Sequence, residues 1–239
     1  MKDEVYTRQE IYQVAEHTNH SVKETQLRYH IGKMLKRKSI MRVGRNLYIK
    51  ADGAKLKRQY RNVYSSTTEE IIEFMKTKFP LMDYRIWELI WLNEFLNHQL
   101  GNNLIFLEIE KIGCEVVFHS LREILQSTSV LLMPTTEQLL LYREHDSVII
   151  NRLITEAPKG KPYVHNVLLE KIIVDLFANK SLFHILSPAD FPDAVSEMFR
   201  KYIINQTSMF RYAKRRNKAR EIYAFLTEET DAELVVEVK

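Results

Sequence analysis

Apolar residues recur at two periods along the chain, and the changes of period mark its parts. Ile11, Val14 and Ala15 follow Thr7 at helical spacing, so a helix capped by Thr7 is predicted to run to about His17. Ser21 can cap a second helix, in which Leu27, Ile31, Met34 and Leu35 share one stripe. Thr25, Gln26, Tyr29, Lys33 and Lys36 fall on roughly the opposite side. After Lys38 the pattern alternates. Ile40 and Arg42 lead into a turn at Gly44 to Asn46, and Leu47, Tyr48 and Ile49 leave it, which predicts two short strands.

A boundary is expected near Tyr60 to Thr68, where the basic run KLKRQYR gives way to NVYSSTTEE. Thr67 or Thr68 can cap the helix that follows, with Glu69 and Glu70 in its first turn. Beyond it, Leu104 to Lys111, Val130 to Pro134 and Ser147 to Ile154 are short, branched and apolar, as strands are. Helical spacing marks Ile71 to Lys78, Tyr84 to Gln99, Glu115 to Gln126, Thr136 to Glu144, Asn166 to Asn179, Ala194 to Asn205 and Met209 to Leu226. The expected class is α/β or α+β: an N-terminal winged helix-turn-helix over residues 1–62, a larger mixed α/β domain over 63–227, and an acidic, loosely ordered tail over 228–239.

Charge sharpens this division. Met1 to Asn62 holds fifteen Lys and Arg against six Asp and Glu, a net of +9, and the remainder nets −5. A basic head on a mildly acidic body points to a polyanion met by the head alone. With 45% hydrophobic residues over 239 positions, the chain can bury one large core or two modest ones. Its apolar runs are far shorter than the roughly 20 residues a membrane helix needs. MKDEVYTRQE carries charge where a signal peptide needs an apolar core, so a cytoplasmic protein without membrane contact is expected. The lone Cys114 excludes an internal disulfide and reads as a small buried hydrophobe.

Helix, helix and β-hairpin is the order of a winged helix-turn-helix, whose second helix enters the major groove of double-stranded DNA while the wing touches flanking backbone. Lys33, Lys36 and Arg37 could neutralise phosphates, Arg42 and Arg45 sit at the wing, and Thr25 and Gln26 could reach base edges, with Tyr29 on the same face. Solvation of an outer helix face, or protein binding by a winged helix, is the alternative. A second basic patch, Arg211, Lys214, Arg215, Arg216 and Lys218, lies in FRYAKRRNKAR and could touch a backbone or be paired internally.

Carboxylates raise an enzyme reading. LEIEK would set Glu108 and Glu110 on one strand face, and Glu170 and Lys171 lie about one turn from Asp175. A metal-dependent nuclease or nucleotide-handling enzyme through Glu108, Glu110 and Asp175 stays open as a rival, as does a non-enzymatic protein-binding adaptor. LEIEK lacks the acid–spacer–Lys order of restriction-type nucleases, His17 and His20 lack further ligands, and no phosphate loop, GxGxxG or GxSxG occurs. No catalytic residue, metal or cofactor is therefore assigned.

Taken together, the basic winged helix, LEIEK, IINRLITEAP (Ile149 to Pro158), LLEKIIVDLFANKSLF (Leu168 to Phe183) and KYIINQTSMFRYAKRR (Lys201 to Arg216) resemble the AbiEi-like antitoxins of bacterial abortive-infection type IV toxin–antitoxin systems. The resemblance spans most of the chain. It implies a phage-defence protein that represses its own promoter, through inverted repeats suited to a homodimer, and whose C-terminal domain opposes a nucleotidyltransferase-like toxin without settled direct contact. One departure is visible: KRKSIMRVGRN has Ser39 where such domains commonly carry a Gly after the recognition helix, which bears on the angle of the wing.

Overall fold

Two sheets organise the chain. The computed structural model describes residues 5–18, 24–37, 39–50, 57–142, 145–160, 163, 165–179, 182, 186 and 188–237. The first sheet joins β1 (Val5–Thr7), β2 (Ile40–Gly44) and β3 (Leu47–Lys50) in the antiparallel order β1-β3-β2, with α1 (Arg8–Thr18) and α2 (Glu24–Lys36) between β1 and β2. Thr7 opens α1 with a reciprocal cap: its Oγ1 accepts from the Glu10 N–H at 3.1 Å, and Glu10 Oε2 accepts from the Thr7 N–H at 2.6 Å. Leu27, Ile31, Ile40 and Tyr48 make the head's core, with Ile11, Tyr12 and Leu35 at its edge. Val14 faces outward, because Tyr12 completes the inward face of α1. The expected cap at Ser21 lies outside the described residues.

The hairpin forms where alternation predicts it. Its left-handed residue is Asn46, at φ 60°, a conformation asparagine tolerates better than most side chains. Gly44 is closely approached: a Cβ there would meet Leu47 Cδ1 and Thr207 Oγ1 at 3.0 Å each, so either side chain would have to give by a few tenths of an ångström. Ser39 ends α2 by offering both its N–H and its hydroxyl to the Met34 carbonyl, at 3.0 and 3.1 Å, so a side-chain bond does there what a glycine turn would.

The second sheet has the order β4 (Tyr84–Glu88), β5 (Leu104–Ile109), β7 (Ser147–Arg152), β6 (Ser129–Leu132). β4 runs antiparallel to β5, and β5, β7 and β6 are parallel. On one face, Ile71, Ile72 and Met75 of α3 (Ser66–Lys78) and Val117 and Leu121 of α4 (Cys114–Ile124) cover Ile86, Leu107, Val148 and Ile150. On the other, α6 (Leu169–Ala178), α7 (Phe191–Lys201), α8 (Gln206–Arg215) and α9 (Ala219–Glu228) pack over Trp87, Phe106 and Ile149. The remaining crossover helix, α5 (Thr136–Tyr142), contributes Leu139 to this face. The class is mixed α and β, as the alternation of elements implies. Among the described residues no helix is long and apolar enough to cross a membrane.

Several predicted elements differ. Tyr84 to Gln99 begins as a strand, β4, every residue of which is buried, and continues as a 3-10 helix over Leu89–Glu94. A strand covered on both faces loses the alternation that would identify it. Met209 to Leu226 is two helices, broken where Asn217 turns left-handed at φ 56°. The cap of α3 is Ser65, whose hydroxyl accepts from the Thr68 N–H at 3.3 Å. The tail is tied down rather than loose: the Gln206 side-chain amide donates to the Glu233 carbonyl at 2.7 Å and accepts from the Val235 N–H at 2.8 Å. Leu234 and Val236 pack on the body's core.

Candidate functional site

The outward face of α2 carries most of the predicted interface. Gln26, Arg28, Tyr29, His30, Lys33, Lys36 and Arg37 are all exposed, opposite buried Leu27 and Ile31. A helix with so wide a polar face and so narrow an apolar one leaves its cations unburied. Tyr29 is 67% exposed, a large ring held at the surface and edge-on to His30 at 5.6 Å. The side chain of Thr25 lies outside the described residues. Lys33 and Lys36 also occupy the last turn of α2, where cations offset the helix dipole, so structure alone gives them one reason to be there.

Arg42 and Arg45 are exposed on the hairpin, but the hairpin is not a freestanding finger. The sheet face formed by Met41, Val43 and Ile49 packs against Ile203 and Val235 of the body. At the turn, the Arg45 N–H donates to Thr207 Oγ1 at 2.9 Å. Arg42 folds back, its Nε donating to the Gly44 carbonyl at 3.1 Å. The body therefore braces the hairpin, and the side chains of Arg42 and Arg45 remain exposed on it. Sequence periodicity could not reveal this bracing, which depends on residues more than 150 positions away.

The second basic patch is largely spent within the chain. Arg211 pairs with Glu156 at 2.9 Å, Arg215 donates to Thr155 at 2.8 Å, and Lys218 pairs with Glu221 at 2.5 Å. Arg216 approaches Asp175 at 3.8 Å beneath the surface, and Lys214 is exposed. Internal pairing, not a continuous cationic surface, accounts for most of this run.

The carboxylates set aside for chemistry part company. Glu110 lies past the end of β5 and is exposed, so it shares no face with Glu108. Glu108 and Asp175 do meet, with the Lys171 ammonium bonded to both, and the Tyr212 hydroxyl donates to the other Asp175 oxygen at 2.8 Å. Burial pushes Glu108 up despite Lys171, and burial with the neighbouring Asp175 raises Tyr212. Burial opposes charge on Lys171, yet Asp175 and Glu108 outweigh it and hold the ammonium above the usual lysine range. Lys171 sits where a nuclease would need a metal between its acids, so the cluster is closed by its own cation. Among the described residues, no group of three or more His, Cys, Asp and Glu is placed to hold a metal ion. Cys114 is buried, as a small hydrophobe would be.

Residues 26–232 match the model of a family of unknown function (DUF6577). No curated protein and no solved structure matches the chain.

Proposed function

The chain belongs to that family, DUF6577, and we propose that it binds double-stranded DNA through α2 and the β2–β3 turn as a transcriptional regulator. One observation supports this above the rest: Arg28, Lys33 and Lys36 on α2, Arg37 just past its end, and Arg42 and Arg45 on the hairpin are all exposed, on a scaffold with β1-β3-β2 order and two helices. A helix of that width fits the major groove, and a hairpin at its end reaches the flanking backbone. Exposed cations with no core role are what counterion release requires. Gln26 is placed near the start of the helix, where an amide can pair with an adenine edge.

The finer reading rests on the resemblance stated above: repression of its own promoter at inverted repeats, by two copies of the chain, in the cytoplasm, together with antitoxicity toward a nucleotidyltransferase-like toxin. It contains no catalytic step for this chain. The test is a salt titration of DNA binding by wild type, Lys33→Ala and Lys36→Ala. Each variant is expected to bind every DNA more weakly and to lower the log–log salt slope by about 0.9. Slopes and affinities equal to wild type would reject the assignment and leave α2 as a solvated or protein-binding face.

A further inference from the structure

The body holds a cavity of about 360 Å³ beside the buried charge cluster, at the carboxyl ends of the parallel strands. Glu108 is the last residue but one of β5, Asn151 and Arg152 close β7, and Met133 follows β6; all four line the cavity. The helices on either side of β6 lie on opposite faces of the sheet, Val117 of α4 on one and Leu139 of α5 on the other. That divergence opens a crevice where α/β sheets commonly take ligands.

Its floor has two unmet demands of opposite kind. Glu108 Oε2 and Trp87 Nε1 are buried with no hydrogen-bond partner, and both residues line the cavity. The first wants a donor and the second offers an N–H. A buried polar atom without a partner forfeits its hydrogen bond to water and gains none in exchange, so two in one crevice point to a third group that supplies both. Arg85, the cross-strand neighbour of Glu108, does not answer it: its Nη1 turns to Asp83 and the Tyr84 carbonyl, at 2.5 and 2.6 Å, and its Nε is itself buried without a partner. Trp87 is stacked on Phe106 at 4.5 Å, and Ile149, Ile154 and Leu139 add apolar wall.

The rim differs in character. Arg152 is exposed there without a carboxylate partner among the described residues, and Arg216 stands behind it, 22% exposed and only loosely held by Asp175 at 3.8 Å. The cavity thus reads from inside outward as a donor and acceptor pair, an apolar slot, and cations.

We propose that this cavity is a binding site for a mononucleotide, base inward between the apolar walls and phosphate outward on Arg152 and Arg216. A base edge presents a ring acceptor beside an amino donor, which answers Trp87 Nε1 and Glu108 Oε2 together. The phosphate answers the arginines bidentately. The size suits it, since pockets for small organic ligands begin at roughly 300 Å³. α8 joins this site to the head: Tyr212 reaches Asp175 near its C-terminal end, and Thr207 holds the hairpin near its N-terminal end. Binding here is independent of whether α2 reads DNA, so the test is run without DNA.

The experiment is calorimetric titration of the full chain with AMP, GMP, CMP and UMP, then with the corresponding nucleoside and with inorganic phosphate. At least one monophosphate is expected to bind saturably, its nucleoside about tenfold more weakly, and inorganic phosphate not measurably. Arg152→Ala, a rim change that leaves the core intact, should weaken the monophosphate about fivefold or more and leave the nucleoside unaffected. No saturable binding by any of the four, equal binding by Arg152→Ala, or phosphate alone matching the nucleotide would overturn the proposal.

Discussion

Lys171 shows how a single residue can hold a buried arrangement together. It is fully buried, and its ammonium is the shared partner of Glu108 and Asp175. Removing it would leave two carboxylates in the core with only Tyr212 and the distant Arg216 to answer them. Lys171→Met is therefore expected to cost about 3–5 kcal/mol in urea denaturation; a loss under about 1 kcal/mol would mean that the acids simply take up protons. The i,i+4 pairing of Lys171 with Asp175 is legible in the sequence, since four residues make about one helical turn. The arrival of Glu108 is not, because it depends on how β5 lies under α6. Another residue sets a pH dependence. His165 is stacked between Tyr84 and Tyr163, with ring centroids at 5.5 and 5.3 Å, and burial, then Lys76 and Arg85, hold its pKa below the usual 6.5. The folded chain thus takes this proton at lower pH than the unfolded chain does. The stabilisation is full above about pH 6.5 and is lost as pH falls toward the folded pKa. Thermal melts from about pH 7 down to pH 5 should show a decline that His165→Phe reduces; an unchanged decline would contradict this.

Elements were legible where one face is wet and obscure where both are covered. α2 follows the sequence pattern closely because Leu27 and Ile31 are buried among exposed residues, whereas the hairpin, with Ile40 and Tyr48 on one face and Met41, Val43 and Ile49 on the other all buried, is marked by its Gly-Arg-Asn turn. β4 hides itself, since YRIWE is buried from end to end and its Arg85 and Glu88 imitate the polar face of a helix. The break at Asn217 is equally quiet, one asparagine within a basic run. At the element scale the hairpin is the informative target. Thr207→Val removes the acceptor of the Arg45 N–H while keeping the volume, and should cost only about 0.5–1 kcal/mol because water can reach that exposed donor. It should also raise hydrogen exchange at Arg45, and an Arg45 amide exchanging as in wild type would show that the hairpin is not braced there. Asn46→Val should cost about 1–2 kcal/mol against a neutral Asn46→Gly, since a β-branched residue resists φ 60°.

At the scale of the molecule, head and body are joined more closely than the charge boundary suggests. The linker side of that boundary lies on the body: Tyr60 packs against Trp91, Phe95 and Tyr202, and the Asn62 side-chain amide pairs with the backbone of Val167. The tail closes the same seam, with Val235 against the head's sheet and Leu234 and Val236 on the body. Deleting residues 232–239 should lower the melting temperature of the whole chain and not of the body alone, because Gln206 loses both partners and the head loses part of its support. A single melting transition displaced downward is the expected calorimetric result, and an unchanged melt would contradict it. Long-range seams of this kind leave no periodic trace, whereas the basic head was visible from charge alone.

The most direct test of the central claim is a nuclease footprint of the purified protein on the DNA upstream of its own gene, at two salt concentrations and with non-specific competitor. A discrete protected site that survives competitor, is lost with Lys33→Ala and Lys36→Ala combined, and weakens as salt rises is the predicted result. Absence of protection, or binding that competitor removes equally from every DNA, would contradict it.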